Sequence, residues 1–313
     1  MKLIKATLLS LLLASTSIAQ EAKKPTADYL QDVSVTIVSE GLFSRGEGSG
    51  VIFSRKDKAG NTVNFIWTAA HVIDNLRKER KVIVNGASKT VVEFKDATIV
   101  KVIRQSGRVV GQLELAAEVI KYSDSEDGHD LALLRVRKLN FVDDSVRFYL
   151  DEQIPKLGTD LWHVGSLLGQ MGSNSMTDGI YSQTGRLIRS LNKHVFDQTT
   201  VAAFPGSSGG GVFLKSDARY VGMLVRGAGE TFNLIVPVRR MAVWAEKNNI
   251  MWALDPKVKM PTDDEMSKIS IEDAGADFSK EGEDRKRRKR AQIQKTYPFL
   301  LKIETLKKEM EVK

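Results

Sequence analysis

The chain of 313 residues contains no cysteine. Disulfides, a thiolate nucleophile and sulfur ligands to a metal are therefore excluded, and stability has to come from packing. Histidine is scarce, with only four in the chain. Three of them, His129, His163 and His194, share no ligand-like spacing with carboxylates, so neither a structural nor a catalytic metal is expected, and no cofactor. The apolar stretch centred on Leu8 to Ala14 falls short of the ~20 residues that span a bilayer. It follows Lys2 and Lys5 and precedes Ser17-Ile18-Ala19, the layout of a secretory signal over residues 1–19. An exported protein is expected, periplasmic or secreted, and the leader has no cysteine for a lipoprotein anchor. No internal repeat suggests a solenoid.

What is present is a β pattern. Hydrophobic residues make up 42% of the chain, enough for a real core. From Asp28 to about Asn140, β-branched and apolar residues alternate with polar ones, as in Asp32 to Glu40 and Lys81 to Gly86. A second set runs from about Leu161 to Val238. Many short strands without long intervening helices argue for an all-β barrel or sandwich. Val238, Met241, Val243 and Trp244 then fall at near-helical intervals, predicting a closing helix over 238–249 whose apolar face packs on the second β unit. Residues 256–313 read as a charged tail, with a short amphipathic helix expected after Pro298. Much of the local charge excess, within a net +8, sits in the run Arg285 to Arg290. That run could bind nucleic acid or an anionic surface. Acidic residues precede it directly and no aromatic interrupts it, so a solvated tail is the preferred reading.

Chemistry concentrates at Phe204 to Val212, where two serines lie against three consecutive glycines. A hydroxyl attacks only when a base takes its proton and donors stabilise the oxyanion. The frame Gly206, Ser208, Gly210 marks Ser208 as the candidate nucleophile, with the N–H groups of Gly206 and Ser208 as donors and the following glycines leaving room around the hydroxyl. His71 ends a strand through Ala69-Ala70 and is the candidate base. Asp130 opens the apolar stretch Leu131 to Val136, where a carboxylate could accept the Nδ1 proton and fix the tautomer. Asp74, one helical turn from His71, is expected to face solvent.

The ordered set Gly48 to Phe53, Thr68 to Val72, Asp130 to Leu134, Gly206 to Gly210 and Val221 to Gly227 resembles the chymotrypsin-fold serine proteases. Among them it resembles the bacterial HtrA type. The resemblance covers about Asp32 to Trp244 and implies two antiparallel six-stranded β-barrels, about 28–140 and 145–240, within a protease domain of 28–255. It implies His71, Asp130 and Ser208 as triad, Gly206 and Ser208 as oxyanion hole, and Val225 and Gly227 as positions pairing with substrate backbone. A protein or peptide substrate follows, with activity rising through about pH 6.5–7. Ala202, with Ala203 next to it, stands six before the nucleophile, where trypsin-like enzymes carry the aspartate that receives basic residues, so small or medium apolar side chains are expected in the primary subsite. Arg226 replaces the aromatic of many relatives and is expected to point to solvent. An extra hairpin is expected at Lys81 to Gln105, and the residues after Pro256, few and highly charged, are not expected to form the PDZ domain of HtrA-type enzymes. The alternatives are an inactive protease fold serving as a peptide-binding module and tail-led binding to nucleic acid or an anionic surface.

Overall fold

The computed structural model describes residues 26–42, 44–188, 194–227 and 231–273, with positions 282, 284, 285, 287, 288, 291, 292, 295, 301 and 302. The leader 1–19 lies outside the described residues, as does the helix expected after Pro298 apart from 301 and 302, which form a strand paired with the second sheet and not a helix.

Two sheets account for the architecture. Helix α1 (Thr26–Asp32) leads into β1 (Ser34–Glu40), β2 (Arg45–Lys56) and β3 (Thr62–Thr68); helix α2 (Ala70–Ile73) follows. Then come β4 (Arg77–Val84), β5 (Ala87–Phe94), β6 (Ala97–Gln105), β7 (Arg108–Ser123) and β8 (Leu131–Val136). Strands β1-β2-β3-β8-β7-β6 form a closed antiparallel barrel. The second sheet holds β9 (Asp160–Leu167), β10 (Gly172–Leu187), β11 (Val195–Thr199), β12 (Gly211–Leu214), β13 (Tyr220–Gly227) and β14 (Asn233–Pro237). Its order β12-β9-β10-β11-β14-β13 closes through a further β12–β13 pairing. A short seventh strand, β15 (Leu301–Lys302), adds to β13.

Closure explains a burial pattern that simple alternation misses. A barrel interior covers one face of each strand, and the neighbouring barrel or a helix covers the other. β3, β8 and β13 are accordingly buried almost throughout. The excursion expected at 81–105 is instead the hairpin β4–β5, an isolated two-stranded sheet turning at Asn85-Gly86. Both turn residues have positive φ, which suits a tight two-residue hairpin. Residues 97–105 belong to the barrel wall, pairing with β1 and β7: Ala97 and Ile99 join the core, while Val100 and Val102 are buried on the opposite face of the strand.

Helix α3 (Val238–Lys247) closes the second barrel and reaches the first. Trp244 packs edge-on against Trp67 of β3 at 5.8 Å between ring centroids. Trp252 lies edge-on to Phe65 at 4.9 Å, and the Trp67 indole N–H donates to Ala253 O at 3.0 Å. The packing expected only on the second unit therefore also seals the first barrel.

The expected solvated tail is docked over its first part. Met266, in helix α4 (Asp263–Met266), is buried, and Ile269 and Ile271 pack against the core. Tyr122 N–H donates to Ile271 O at 2.7 Å, Arg77 binds Glu272 at 2.6 Å, and the Trp244 indole donates to Asp273 at 2.9 Å. The segment is held by backbone and charge as well as by a few apolar side chains, a kind of attachment that hydropathy does not register. Asp74 is likewise turned inward: it accepts the Tyr122 hydroxyl at 2.6 Å.

Candidate active site

The loop 204–211 enters the junction between the barrels and is fixed by backbone conformation. Gly206 has φ +89°, and a Cβ there would lie 2.2 Å from Ser166 O. Gly209 has φ +86°, with Ser49 O 2.1 Å from a Cβ. Both positions exclude an L side chain on two counts. Gly210 and Gly211 are small for a different reason. A Cβ would meet His163 at 2.7 Å or the Phe213 ring at 2.3 Å, so these glycines answer to packed neighbours and not to open room around the hydroxyl.

Ser49 of β2 fastens this loop to the other barrel. Its N–H donates to Ser208 O at 2.7 Å and its hydroxyl to Gly206 O at 2.6 Å, while it accepts the Ser166 N–H at 2.7 Å. Gly209 N–H donates to Leu224 O and Gly210 N–H to Ser207 O. Among the described residues the N–H groups of Gly206 and Ser208 donate to no protein acceptor. Ser49 lies in the glycine-serine stretch that carried the resemblance, but its tie to the loop has no signature in the sequence.

His71 is delivered by the turn from β3 into α2, where Ala69 and Ala70 are fully buried. Their small size allows the helix to sit close to the barrel. Asp130 comes from the loop 123–130, which is tied by side chains. Asp124 accepts the N–H groups of Glu126 and Asp127, and Ser123 Oγ accepts that of His129. Asp130 itself has φ 57°, a left-handed conformation that aspartate tolerates better than most residues.

The three side chains meet at the junction. His71 Nε2 lies 2.8 Å from Ser208 Oγ, and Nδ1 lies 2.9 Å from both carboxylate oxygens of Asp130. The His71 backbone N–H also donates to Asp130, at 3.1 Å. All three residues are buried. With Nδ1–H held by the carboxylate, Nε2 carries the lone pair toward the hydroxyl, so a serine proton has an acceptor in place.

Arg226 corrects an expectation. It is only 4% exposed, donates to Ser125 O at 3.2 Å, and brings its guanidinium within 3.8 Å of Asp130. It turns inward because the site offers a buried carboxylate and a carbonyl. A second guanidinium, Arg240, is buried nearby and donates to Val195 O at 3.3 Å and to His129 O at 2.5 Å. Burial pushes Arg240 down to about 9, against the pull of Asp130 and with the push of Arg226. Two further histidines flank the site in neutral form. His163, under the glycine loop with Nδ1–H on Gly211 O at 3.0 Å, is pushed by burial down to about 4. Burial, with His194 and Arg240 alongside, pushes His129 down to about 3.

The remaining positions sit around the same loop. Val225 is fully buried in β13, and Arg226 and Gly227 continue the strand. Ala202 and Ala203 are half-buried before the loop; Ala202 O accepts the Thr177 hydroxyl at 3.0 Å.

Two closed six-stranded antiparallel rings, followed by a C-terminal helix, define the chymotrypsin-like fold class. The chain belongs to the family of the trypsin-like peptidase domain, whose model matches residues 48–223. Among solved structures it is similar to AlgW, an HtrA-type protease with a tripeptide, at 18% identity and a TM-score of 0.51. The match covers 73% of this chain and 64% of that one. The serine endoprotease from Yersinia pestis matches at 20% identity and 0.50, over 72% and 65% of the two chains. Deg5 matches at 20% and 0.50, over 74% and 94%. The first two matches span just under two thirds of the neighbours' length, and at these identities the likeness is one of fold. No curated protein sequence matches the chain.

Proposed function

We propose that this protein is an exported serine endopeptidase. The observation that carries the reading is the continuous hydrogen-bonded chain Asp130–His71–Ser208, with 2.9 and 2.8 Å links inside a trypsin-like peptidase domain. Ser208 Oγ attacks a peptide carbonyl as His71 Nε2 takes its proton. Asp130 holds the imidazole in the useful tautomer and stabilises the imidazolium. The carbonyl oxygen, now negative, takes the N–H groups of Gly206 and Ser208, which have no other acceptor among the described residues. His71 then gives its proton to the departing amine, and water clears the acyl-enzyme by the same route in reverse.

Substrate backbone pairs with β13 at Val225 and Gly227. Ala202 and Ala203 put no charge at the base of the primary subsite, so small or medium apolar side chains are cleaved after, and basic ones are not. The Lys2, Lys5 and Leu8 to Ala14 pattern supports export. A fluorophosphonate distinguishes this reading from an inactive peptide-binding fold. It is expected to label the native chain and not Ser208→Ala; equal labelling of both, or of neither, counts against the enzyme.

A further inference from the structure

The edge of β13 that faces Ser208 is used in three successive stretches. Tyr220 to Met223 pair with β12, Gly211 lying opposite Met223. Leu224 then accepts the Gly209 N–H at 2.8 Å and donates to Gly210 O at 3.0 Å, which brings the edge alongside the loop that carries Ser208. Beyond that point the other side of β13 is occupied by β14, with Arg226 opposite Leu234 and Gly227 opposite Asn233. The free side takes β15: Arg226 pairs antiparallel with Lys302 and Gly227 with Leu301.

That free side is the edge an extended peptide needs in order to present a carbonyl to Ser208, since strand addition consumes the unpaired backbone groups of one edge. Two peptides cannot use it together. The covalent path to this position is anchored independently. Residues 270–273 are fixed to β7 and α3 through Lys121, Tyr122 and Trp244. Arg285 lies 3.5 Å from Asp127, in the loop that carries Asp130. Lys302 is followed in the sequence by Ile303, a side chain of the class expected in the primary subsite.

We infer that the C-terminal segment around Leu301–Lys302 is an in-chain occupant of the substrate edge, which an incoming polypeptide has to displace. This rests on the peptidase reading given above. A tether supplies its own segment at an effective concentration of about a millimolar, so a segment whose own dissociation constant is well below about a millimolar keeps most molecules closed. The apparent affinity for an external peptide is then reduced by the open fraction. The contact is undemanding in sequence because it uses backbone, and it is reversible because it is short.

The test uses the full-length chain with Leu301→Pro and Lys302→Pro together. Proline cannot donate to the ladder, and both sites lie outside the two barrels. In a Ser208→Ala background, anisotropy of a fluorescein-labelled peptide of residues 296–306 is expected to report binding several-fold tighter to the double proline chain than to the native tail. Equal affinity overturns the inference. In the active chain the same pair of substitutions is expected to lower KM for a peptide substrate about two- to tenfold at unchanged kcat. An unchanged KM also overturns it. The binding measurement needs no hydrolysis, whereas failure of fluorophosphonate labelling speaks only against the peptidase reading.

Discussion

The two loops that meet at His71 are built in opposite ways. The 204–211 loop is shaped by glycine backbone at positive φ and clamped by Ser49 from the other barrel. The 123–130 loop uses polar side chains folded onto their own backbone, and it reaches a positive φ at Asp130 without glycine. One places a hydroxyl beside donors; the other places a buried carboxylate against the imidazole. Backbone shape suffices for the first task. The second is assisted by hydrogen bonds to the carboxylate and by positive charge close by, the Arg226 guanidinium lying 3.8 Å from Asp130. Rigid placement of a small group and stabilisation of a buried charge thus call on different residues within one site.

Deleting each loop's reacting group should give the largest effects and the clearest contrast. Ser208→Ala should lower kcat on a peptide by about 10⁶ and Asp130→Asn by about 10⁴, because the second keeps the hydroxyl and its donors. If both lost the same factor in steady-state assays, the loops would not have separate tasks.

Shape should matter more on the glycine side. Gly206→Ala sets a methyl 2.2 Å from Ser166 O and displaces an oxyanion donor, so kcat should fall ~10²–10³. Asp124→Ala removes two turn bonds and should cost about tenfold, through a less well-held Asp130. The same assays rank the two.

Acid should weaken both loops, since each has a neutral histidine beside it, His163 buried and His129 half-buried. His163 at about 4 and His129 at about 3 lie below the unfolded value of 6.5. Between these limits the unfolded chain binds more protons, so stability is full above about 6.5 and falls as pH drops toward 4. His163 alone corresponds to about 3 kcal/mol. Urea midpoints of Ser208→Ala at pH 7 and 4.5 check this; an equal midpoint would place His163 outside the packed site.

The smallest effect belongs to Arg226→Gln. Removing a guanidinium near Asp130 leaves the carboxylate's field less opposed, which favours the imidazolium. The acid limb of the kcat/KM profile should move up by roughly half a pH unit and return toward native with Arg226→Lys. A limb that stays fixed would leave Arg226 only a packing role.

Much of this was readable beforehand, and the reasons differ by element. The strands of both barrels show as short runs of β-branched and apolar residues between turn residues, which is local, whereas the continuous burial of β3, β8 and β13 is not. The closing helix shows as spacing of Val238, Met241 and Trp244, and it ends at Lys247 in place of 249. Residues 97–105 carry the same alternation in a barrel wall as they would in a hairpin, so the sequence does not separate the two. Arg226 was expected outside because its type favours water, and nothing adjacent in the chain announces a buried carboxylate. Docking of 266–273 leaves no local signal, since its partners, Arg77, Lys121 and Trp244, are distant in sequence.

The sequence by itself determined which residues could be strand, turn or reacting group, because backbone preference, side-chain size and acid–base type belong to a residue and its near neighbours. Only the tertiary structure decided which of them act together. His71 meets Asp130 across 59 positions and Ser208 across 137; the pairing of β3 with β8 and the packing of one barrel on the other bring them within proton-transfer distance. It also decided that Arg226 is buried and that the β13 edge is filled by the chain's own end, since burial and strand pairing depend on what lies opposite in space.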